Sequence, residues 1–463
     1  MLNDTLVPYN SMQFIQHCTR THFKEVPQLP SFYTNINVDA AGSQLKASIE
    51  DALAFEYESL KRSHDITNTK LDKASEEDLI SDSIIQQINR VVLNNLASTQ
   101  TYIMDAQIDY DPRHEAFWFI GGIQPPDNSR KSREKFSWSK PLANEPINRA
   151  VQYLGKPSLA VRTELPLEPV ISYSEADNPD FDVPLFSFDP RVLGYNSTNR
   201  HGTNIPGFWP GDPCEFGLLS FQRRGHLLNR SPSFGPEDQQ EALHSHGIMS
   251  SFAWLLSQAS YQGFTTYNDL TYPLVAQTVI TNGQEWSFYT YQLNTALMHS
   301  DHVHNNPKRN ICWGTAPQKL FESIDENGKI IGFNDTVLKM LLQFYLNIPK
   351  SREDVDMKPY LDKQERIVAN IVDTEKREWL ENQYKHMMAN RPRHRQMYEL
   401  YHWEKIYKVD NDTRPLEPKR RPFELGINPW MRKYDERAPS YIPKALRPGG
   451  PKSKDKFYKS YYP

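Results

Sequence analysis

The stretch from Ser250 to Pro349 leaves this chain the least freedom in what it can build. It opens with Ser250-Ser-Phe-Ala-Trp-Leu-Leu-Ser-Gln-Ala-Ser-Tyr-Gln-Gly263. That composition predicts a helix over 250–261, with Gly263 as its C-terminal stop. Two apolar runs follow, Leu274–Thr281 and Gln284–Leu293, on either side of Asn282-Gly283. Asn-Gly suits a two-residue type I′ turn, because both central residues need positive φ. Such a turn sets Val279 opposite Trp286 and Ile280 opposite Glu285. One face then carries Val275, Val279, Trp286 and Phe288; the other carries Leu274, Ala276, Ile280, Tyr289 and Tyr291. Large apolar groups on both faces predict an interior hairpin, covered on each side. Asn310-Ile-Cys-Trp-Gly-Thr315 comes next. Asn334-Asp335 then supplies an N-cap and a first-turn acid for a helix over Thr336–Leu346, ended by Pro349.

Around this block the signals are weaker. The first 35 residues show little periodicity, and residues 45–75 are polar, charged and helical in part. Glu76–Leu96 predicts an amphipathic helix, because Ile85, Ile88, Val92 and Leu96 share one face. A short strand is expected at Glu115–Ile120, stopped by Gly121-Gly122. Residues 125–247 hold many Pro, Gly and Asn and predict long irregular backbone with small strands. A charged helix is expected over about 361–389. The fold class is α+β: a mixed, mainly antiparallel sheet around a central hairpin, flanked by helices, with long extended arms. Four parts follow: an N-terminal arm and helical segment (1–75), an α+β core (76–350), a charged helix (351–390) and a basic Pro/Tyr-rich arm (391–463).

Charge separates the last part from the rest. The 463 residues hold 53 Lys+Arg and 57 Asp+Glu. Residues 391–463 hold 18 and 9 of these, a net of +9, which leaves 35 and 48, a net of −13. An acidic body with a basic tail implies a polyanion-binding arm; a merely solvated tail is the alternative. No run approaches the roughly 18 apolar residues of a membrane span. Cys18, Cys214 and Cys312 lie far apart without a Cys-x-x-Cys pair, which predicts a reducing compartment and no disulfide framework. The N-terminus shows neither a signal-peptide core nor the Arg-rich composition of a transit peptide.

The search for chemistry yields little. His299-x-x-His302-x-His304 with Asp301, and His244-x-His246, offer metal-ligand types. Neither matches a helical or hairpin ligand spacing. Arg447-Pro-Gly-Gly-Pro-Lys-Ser453 lacks the spacing of a phosphate loop, and its prolines remove amide donors. Cys312 between Ile311 and Trp313 reads as a buried small hydrophobe. No catalytic, metal or cofactor residue is assigned. The better candidates pair cations with aromatics, since cations meet phosphates while aromatic rings stack on unpaired bases. They are Arg130, Lys131, Arg133 and Lys135 followed by Trp138, and, in the arm, Arg391, Arg393, Arg395, Trp403, Lys419, Arg420, Arg421, Trp430, Arg432 and Lys433.

The wording of the central block resembles a family. Ser251-Phe-Ala-Trp254, Tyr261-Gln-Gly-Phe264, Gln277-Thr-Val-Ile-Thr281, Ser287-Phe288 and Tyr291-Gln-Leu-Asn-Thr295 are similar to the programmed cell death protein nine family. So are Asn306-Pro307, Asn310–Thr315, Gly332-Phe-Asn-Asp335 and Leu346-Asn-Ile-Pro349. Weaker similarity reaches the strand near Phe117 and Asp212-Pro-Cys214. These are mitochondrial ribosomal proteins, first numbered thirty in the small subunit and now placed in the large one. The resemblance implies a structural constituent of the mitochondrial large ribosomal subunit, with no enzymatic activity and no cofactor. It implies contact with large-subunit rRNA, with a paralogous large-subunit protein (number thirty-seven) and with other mitochondrial ribosomal proteins. The rivals are an RNA-modifying or hydrolytic enzyme using the histidine cluster, and a non-ribosomal apoptosis-linked adaptor. The resemblance fails at the shortened N-terminal segments and beyond about residue 355.

Overall fold

The computed structural model describes residues 2–352 apart from 4–6, 68–71, 136, 138–139, 196–203, 209–211, 263, 265–268 and 326–327. Its main strands are β1 (Leu2–Asn3), β2 (Thr21–Glu25), β3 (Gln107–Tyr110), β4 (His114–Ile123), β5 (Ile147–Gly155), β6 (Leu159–Thr163), β7 (Phe216–Gln222), β8 (Leu274–Thr281), β9 (Glu285–Leu293), β10 (Asn310–Gly314) and β11 (Gln318–Lys319). The helices are α1 (Met12–Thr19), α2 (Asp39–Thr67), α3 (Lys73–Leu96), α4 (Thr101–Met104), α5 (Asp127–Arg133), α6 (Pro236–Tyr261), α7 (Ser300–Val303) and α8 (Asp335–Tyr345). The fold is α+β. One sheet runs β2-β10-β9-β8-β7-β6-β3, with β11 against β9; a smaller one runs β1-β5-β4. In the large sheet β2/β10 and β7/β8 are parallel and the other pairs antiparallel.

The β8–β9 hairpin lies at the centre of the large sheet, and both its faces are covered. Val275, Val279, Trp286 and Phe288 pack beneath α2, α3 and α8, among Ile49, Ile85, Ile88, Val92 and Leu341. Leu274, Ala276, Ile280, Tyr289 and Tyr291 pack on the other side against α6, α1 and the small sheet, with Phe252, Trp254, Phe14 and Trp118. Helices, large sheet, then α6 with the small sheet make three layers. Among the described residues no helix is long and apolar enough to cross a membrane.

The register corrects the expected turn. Thr281 faces Trp286 and Val279 faces Phe288, so the loop is four residues long. Asn282 Oδ1 accepts from the amides of Gln284 (3.1 Å) and Glu285 (2.7 Å), and Thr281 Oγ1 from that of Gly283 (2.9 Å). These local side-chain bonds hold the wider loop. Gly283 alone takes positive φ there, at 91°. The shift is by two residues, so each side chain keeps its expected face.

Other boundaries also move. Helix α6 starts at Pro236, fourteen residues before the expected 250. Proline at its first turn and the acids Glu237 and Asp238 are the start signals. His244-Ser-His246-Gly247 hides the continuity by looking loop-like. The glycine is needed there: a Cβ at 247 would lie 2.6 Å from the Tyr289 ring. Strand β4 does not stop at Gly121-Gly122 but bends through them, with a register shift between Ile120 and Ile123. Gly121 donates to Met298 O at 2.6 Å, and a Cβ at 121 would fall 1.9 Å from the Ser300 nitrogen. The span 125–247 is less irregular than expected, because β5, β6 and β7 all lie within it. The N-terminal α1 and β2 join the body: Phe14, Ile15 and Cys18 are in its core, and β2 forms one edge of the large sheet. Helix α3 begins at Lys73, capped by Asp72, and α8 at Asp335, capped by Asn334, whose side chain accepts from Thr336 N at 3.0 Å. The expected charged helix over 361–389 and the arm 391–463 lie outside the described residues.

Candidate nucleic-acid interface

The polar members of the central motifs turn inward and tie strands together. Asn310 Oδ1 accepts from Asn294 N (2.7 Å) and Thr295 N (3.0 Å), while its Nδ2 donates to Thr19 O and Thr295 O. Gln292 Oε1 accepts from Val170 N and Ile171 N, and its Nε2 donates to Ile171 O and Asn294 Oδ1. Each amide is buried with its bonds satisfied, which is what low-dielectric surroundings demand of a polar group. These residues brace loops and have no capacity left for a ligand.

Among the described residues the histidines are mostly core groups. His244 Nδ1 meets Tyr289 OH at 3.0 Å, His246 lies edge-on to His226, and His114 stacks on Trp254. Burial lowers all four; His114 falls to about 3, and His226 and His244 to about 4. His299 packs on Phe119, whereas His304 is exposed and the His302 side chain lies outside the described residues. Among the described residues no three His, Cys, Asp or Glu side chains are placed to share a metal ion. Cys312 is fully buried, and burial pushes its thiol well above the ordinary range, so it is a packing residue.

These groups give the body a defined pH response. Each histidine binds a proton more readily unfolded, near 6.5, than folded, so stability is lost as pH falls from 6.5 toward 4 and 3. Glu215 acts in the opposite sense. Burial raises it from 4.5 to about 8, so its contribution is full below 4.5 and lost as pH rises toward 8. The unfolding temperature is therefore expected to drop on acidification from pH 6.5 to 5. Glu215→Gln should flatten the decline between pH 6.5 and 8. Thermal unfolding followed by circular dichroism across pH 5–8 checks both signs.

The basic segment 130–135 lies in the connection between β4 and β5, at one end of the small sheet. Arg130, Lys131 and Arg133 sit on α5, and Lys135 follows it; Trp138 lies outside the described residues, as does every candidate from Arg391 to Lys433. The four cations are not equivalent. Arg130 pairs with Asp127 at 2.5 Å, and Arg133 Nη1 donates to Leu142 O and Glu145 O, both at 2.8 Å, closing the loop. Lys131 and Lys135 are exposed, with no partner among the described residues. A second segment reaches the same end of the sheet. Gln124 N donates to Ser187 O at 2.7 Å, which brings the chain carrying exposed Phe188 and Arg191 to the same end of the sheet. No local pattern announced this, because the contact spans more than sixty residues of sequence.

The central amides thus brace strands, His114, His226, His244 and His246 are core groups, and the basic connection after β4 is exposed at Lys131 and Lys135. The family model described as mitochondrial 28S ribosomal protein S30 (PDCD9) matches residues 1–349, and the chain belongs to that family. It is accordingly a mitochondrial protein of the ribosomal class, whose partners are ribosomal RNA and other ribosomal proteins.

Proposed function

We propose that this chain is an architectural, non-catalytic constituent of the mitochondrial large ribosomal subunit. The family match over 1–349 carries the ribosomal reading. The large-subunit placement rests on the resemblance of the 250–350 block, whereas the family's description carries the small-subunit label 28S. Mitochondrial ribosomes dissociated at low magnesium and run on a sucrose gradient separate the two. The chain is expected to comigrate with large-subunit rRNA. Comigration with the small subunit would reassign it, and a position at the top of the gradient would overturn the ribosomal role.

Within the subunit, Lys131, Lys135 and exposed Phe188 are assigned to rRNA contact. Exposed ammonium groups release counterions from phosphate, and an exposed ring stacks on an unpaired base. Lys131→Glu with Lys135→Glu should reduce ultraviolet cross-linking of this chain to rRNA about tenfold, with an unchanged unfolding temperature. The arm 391–463 is assigned to the same kind of contact on its net +9 charge. Its deletion should weaken incorporation into the subunit without unfolding the body; unchanged incorporation would sink that assignment. The paralogous protein number thirty-seven is the proposed protein neighbour, and cross-linking of assembled subunits tests it.

A further inference from the structure

The large sheet ends at β2, and the register fixes which backbone groups that edge leaves unused. β2 runs parallel to β10, with Phe23 beside Cys312 and Glu25 beside Gly314. Asn310 N donates to Arg20 O at 3.0 Å, and at the other end Val26 N donates to Gly314 O at 2.9 Å. A parallel pair uses every second residue of a strand, so Arg20, His22, Lys24 and Val26 are spent on β10. The amides and carbonyls of Phe23 and Glu25 therefore point away from the sheet. Neither backbone has a partner there among the described residues. Glu25 is exposed and Phe23 half-buried, so the edge is open to solvent.

The two faces of this edge differ. Phe23 stands on the α6 side, with its ring 4.6 Å from that of His244. Lys24 stands on the other. It pairs with Trp313, Trp313 with Thr290, and Thr290 with Gln277, whose amide donates to Phe344 O at the end of α8. Laterally paired residues share a face, so Lys24 is on the helical side. There Lys24, Val26, Leu29, Phe32 and Trp313 line a groove of about 690 Å³, which begins at the edge strand itself. Lys24 is exposed and meets no carboxylate among the described residues.

We propose that β2 accepts an added strand from a different protein. The segment carries a carboxylate beside Lys24 and, two positions along, an apolar residue beside Val26 at the mouth of the groove. A polypeptide fits because donors and acceptors alternate along the edge at strand spacing. Phosphates accept hydrogen bonds but cannot donate to the outward carbonyls of Phe23 and Glu25. A second copy of β2 fails on charge, because its one carboxylate, Glu25, is already held by Gln240 at 2.8 Å. Lys24 also sets the specificity: a lysine on an open edge turns away wholly apolar strands and favours one that brings an acid.

The test replaces exposed Pro27, at the end of the edge, with photoreactive benzoylphenylalanine in the full-length chain inside mitochondria. Irradiation should give an adduct with a different protein, and mass spectrometry should map it to a peptide with Asp or Glu two residues from an apolar one. Two variants of the photoreactive chain then read the edge itself. Glu25→Pro removes an outward N–H that the sheet does not use, and should lower the adduct about tenfold. Lys24→Glu should lower it about fivefold, by setting like charges side by side across the new pair. Lys24 is exposed, so this variant reads the contact even where the proline disturbs the strand. An adduct with RNA or with this chain itself, no adduct, or an adduct that neither variant lowers would overturn the proposal. The adduct is read whichever subunit holds the chain, so its failure leaves the gradient result untouched.

Discussion

Gln277→Leu is expected to lower the unfolding free energy by about 3–5 kcal/mol, because it orphans several buried groups at once. Gln277 sits in β8 with no exposed surface. Its Nε2 donates to Leu218 O at 3.0 Å and Phe344 O at 2.9 Å. Its Oε1 accepts from Tyr33 OH and from Asn347 Nδ2, both at 2.9 Å. One side chain thus joins β7, the end of α8 and the turn at 31–35. Leucine has similar size but no polar atoms, so transfer of the side chain itself favours burial. The cost lies in the partners, each left without a bond in a dry interior at about 1–3 kcal/mol apiece. Tyr33 OH still receives Thr290 Oγ1 at 3.2 Å, which limits the total. Urea denaturation of the variant measures the loss. Adding Tyr33→Phe to Gln277→Leu should cost less than the sum of the two single changes, because one orphan disappears with it. A loss under about 1 kcal/mol would mean that water replaces the amide.

Arg162→Met should be nearly as damaging, at about 3–5 kcal/mol. The Arg162 side chain is 3% exposed, while Asp109 and Asp212 keep 26% and 25%. The guanidinium reaches Asp109 at 2.5 and 3.2 Å, Asp212 at 3.2 Å and the carbonyl of Cys214, and it lies 4.9 Å over the Phe208 ring. Without it, two half-buried carboxylates face each other with no cation, and the edge pairing of β3 on β6 loses its fastening. Lysine is no substitute, since a single ammonium cannot reach both carboxylates and the carbonyl in one plane. Arg162→Met combined with Asp109→Asn and Asp212→Asn should recover part of the loss. Failure to recover any would show that packing over Phe208, rather than charge, is what Arg162 supplies.

Both sites illustrate how far sequence reading carries. The two faces of the hairpin were legible because alternation survives a two-residue error in the turn. The turn itself was not, since Asn282 uses its side chain as an acceptor rather than adopting positive φ. Helix α3 was legible from its apolar spacing, and α8 from its cap. Helix α6 was half hidden because a helix buried on all sides has no polar face, so its histidines and Gly247 look like loop. β5, β6 and β7 were obscured by polar residues such as Gln152, Arg162 and Ser220. Their partners lie tens of residues away, so each strand reads as irregular until its neighbours are known. The basic segment 130–135 was legible as charge, but not the division of labour within it.

The sequence by itself determined the covered hairpin, the capped helix after it, the opposite charge balance of residues 1–390 and 391–463, and the family wording of the 250–350 block. Those features are written in local order: period, cap residues and charge count. Only the tertiary structure decided that the motif amides are braces, that His114, His226, His244 and His246 are core groups, and that Arg133 is engaged while Lys131 and Lys135 face solvent. It alone brought the segment carrying Phe188 and Arg191 to the end of the small sheet where α5 follows β4. The physical reason is that a hydrogen bond or an ion pair depends on distance in space. This fold draws its partners from segments as far apart as Thr19 and Asn310, a separation no local pattern records.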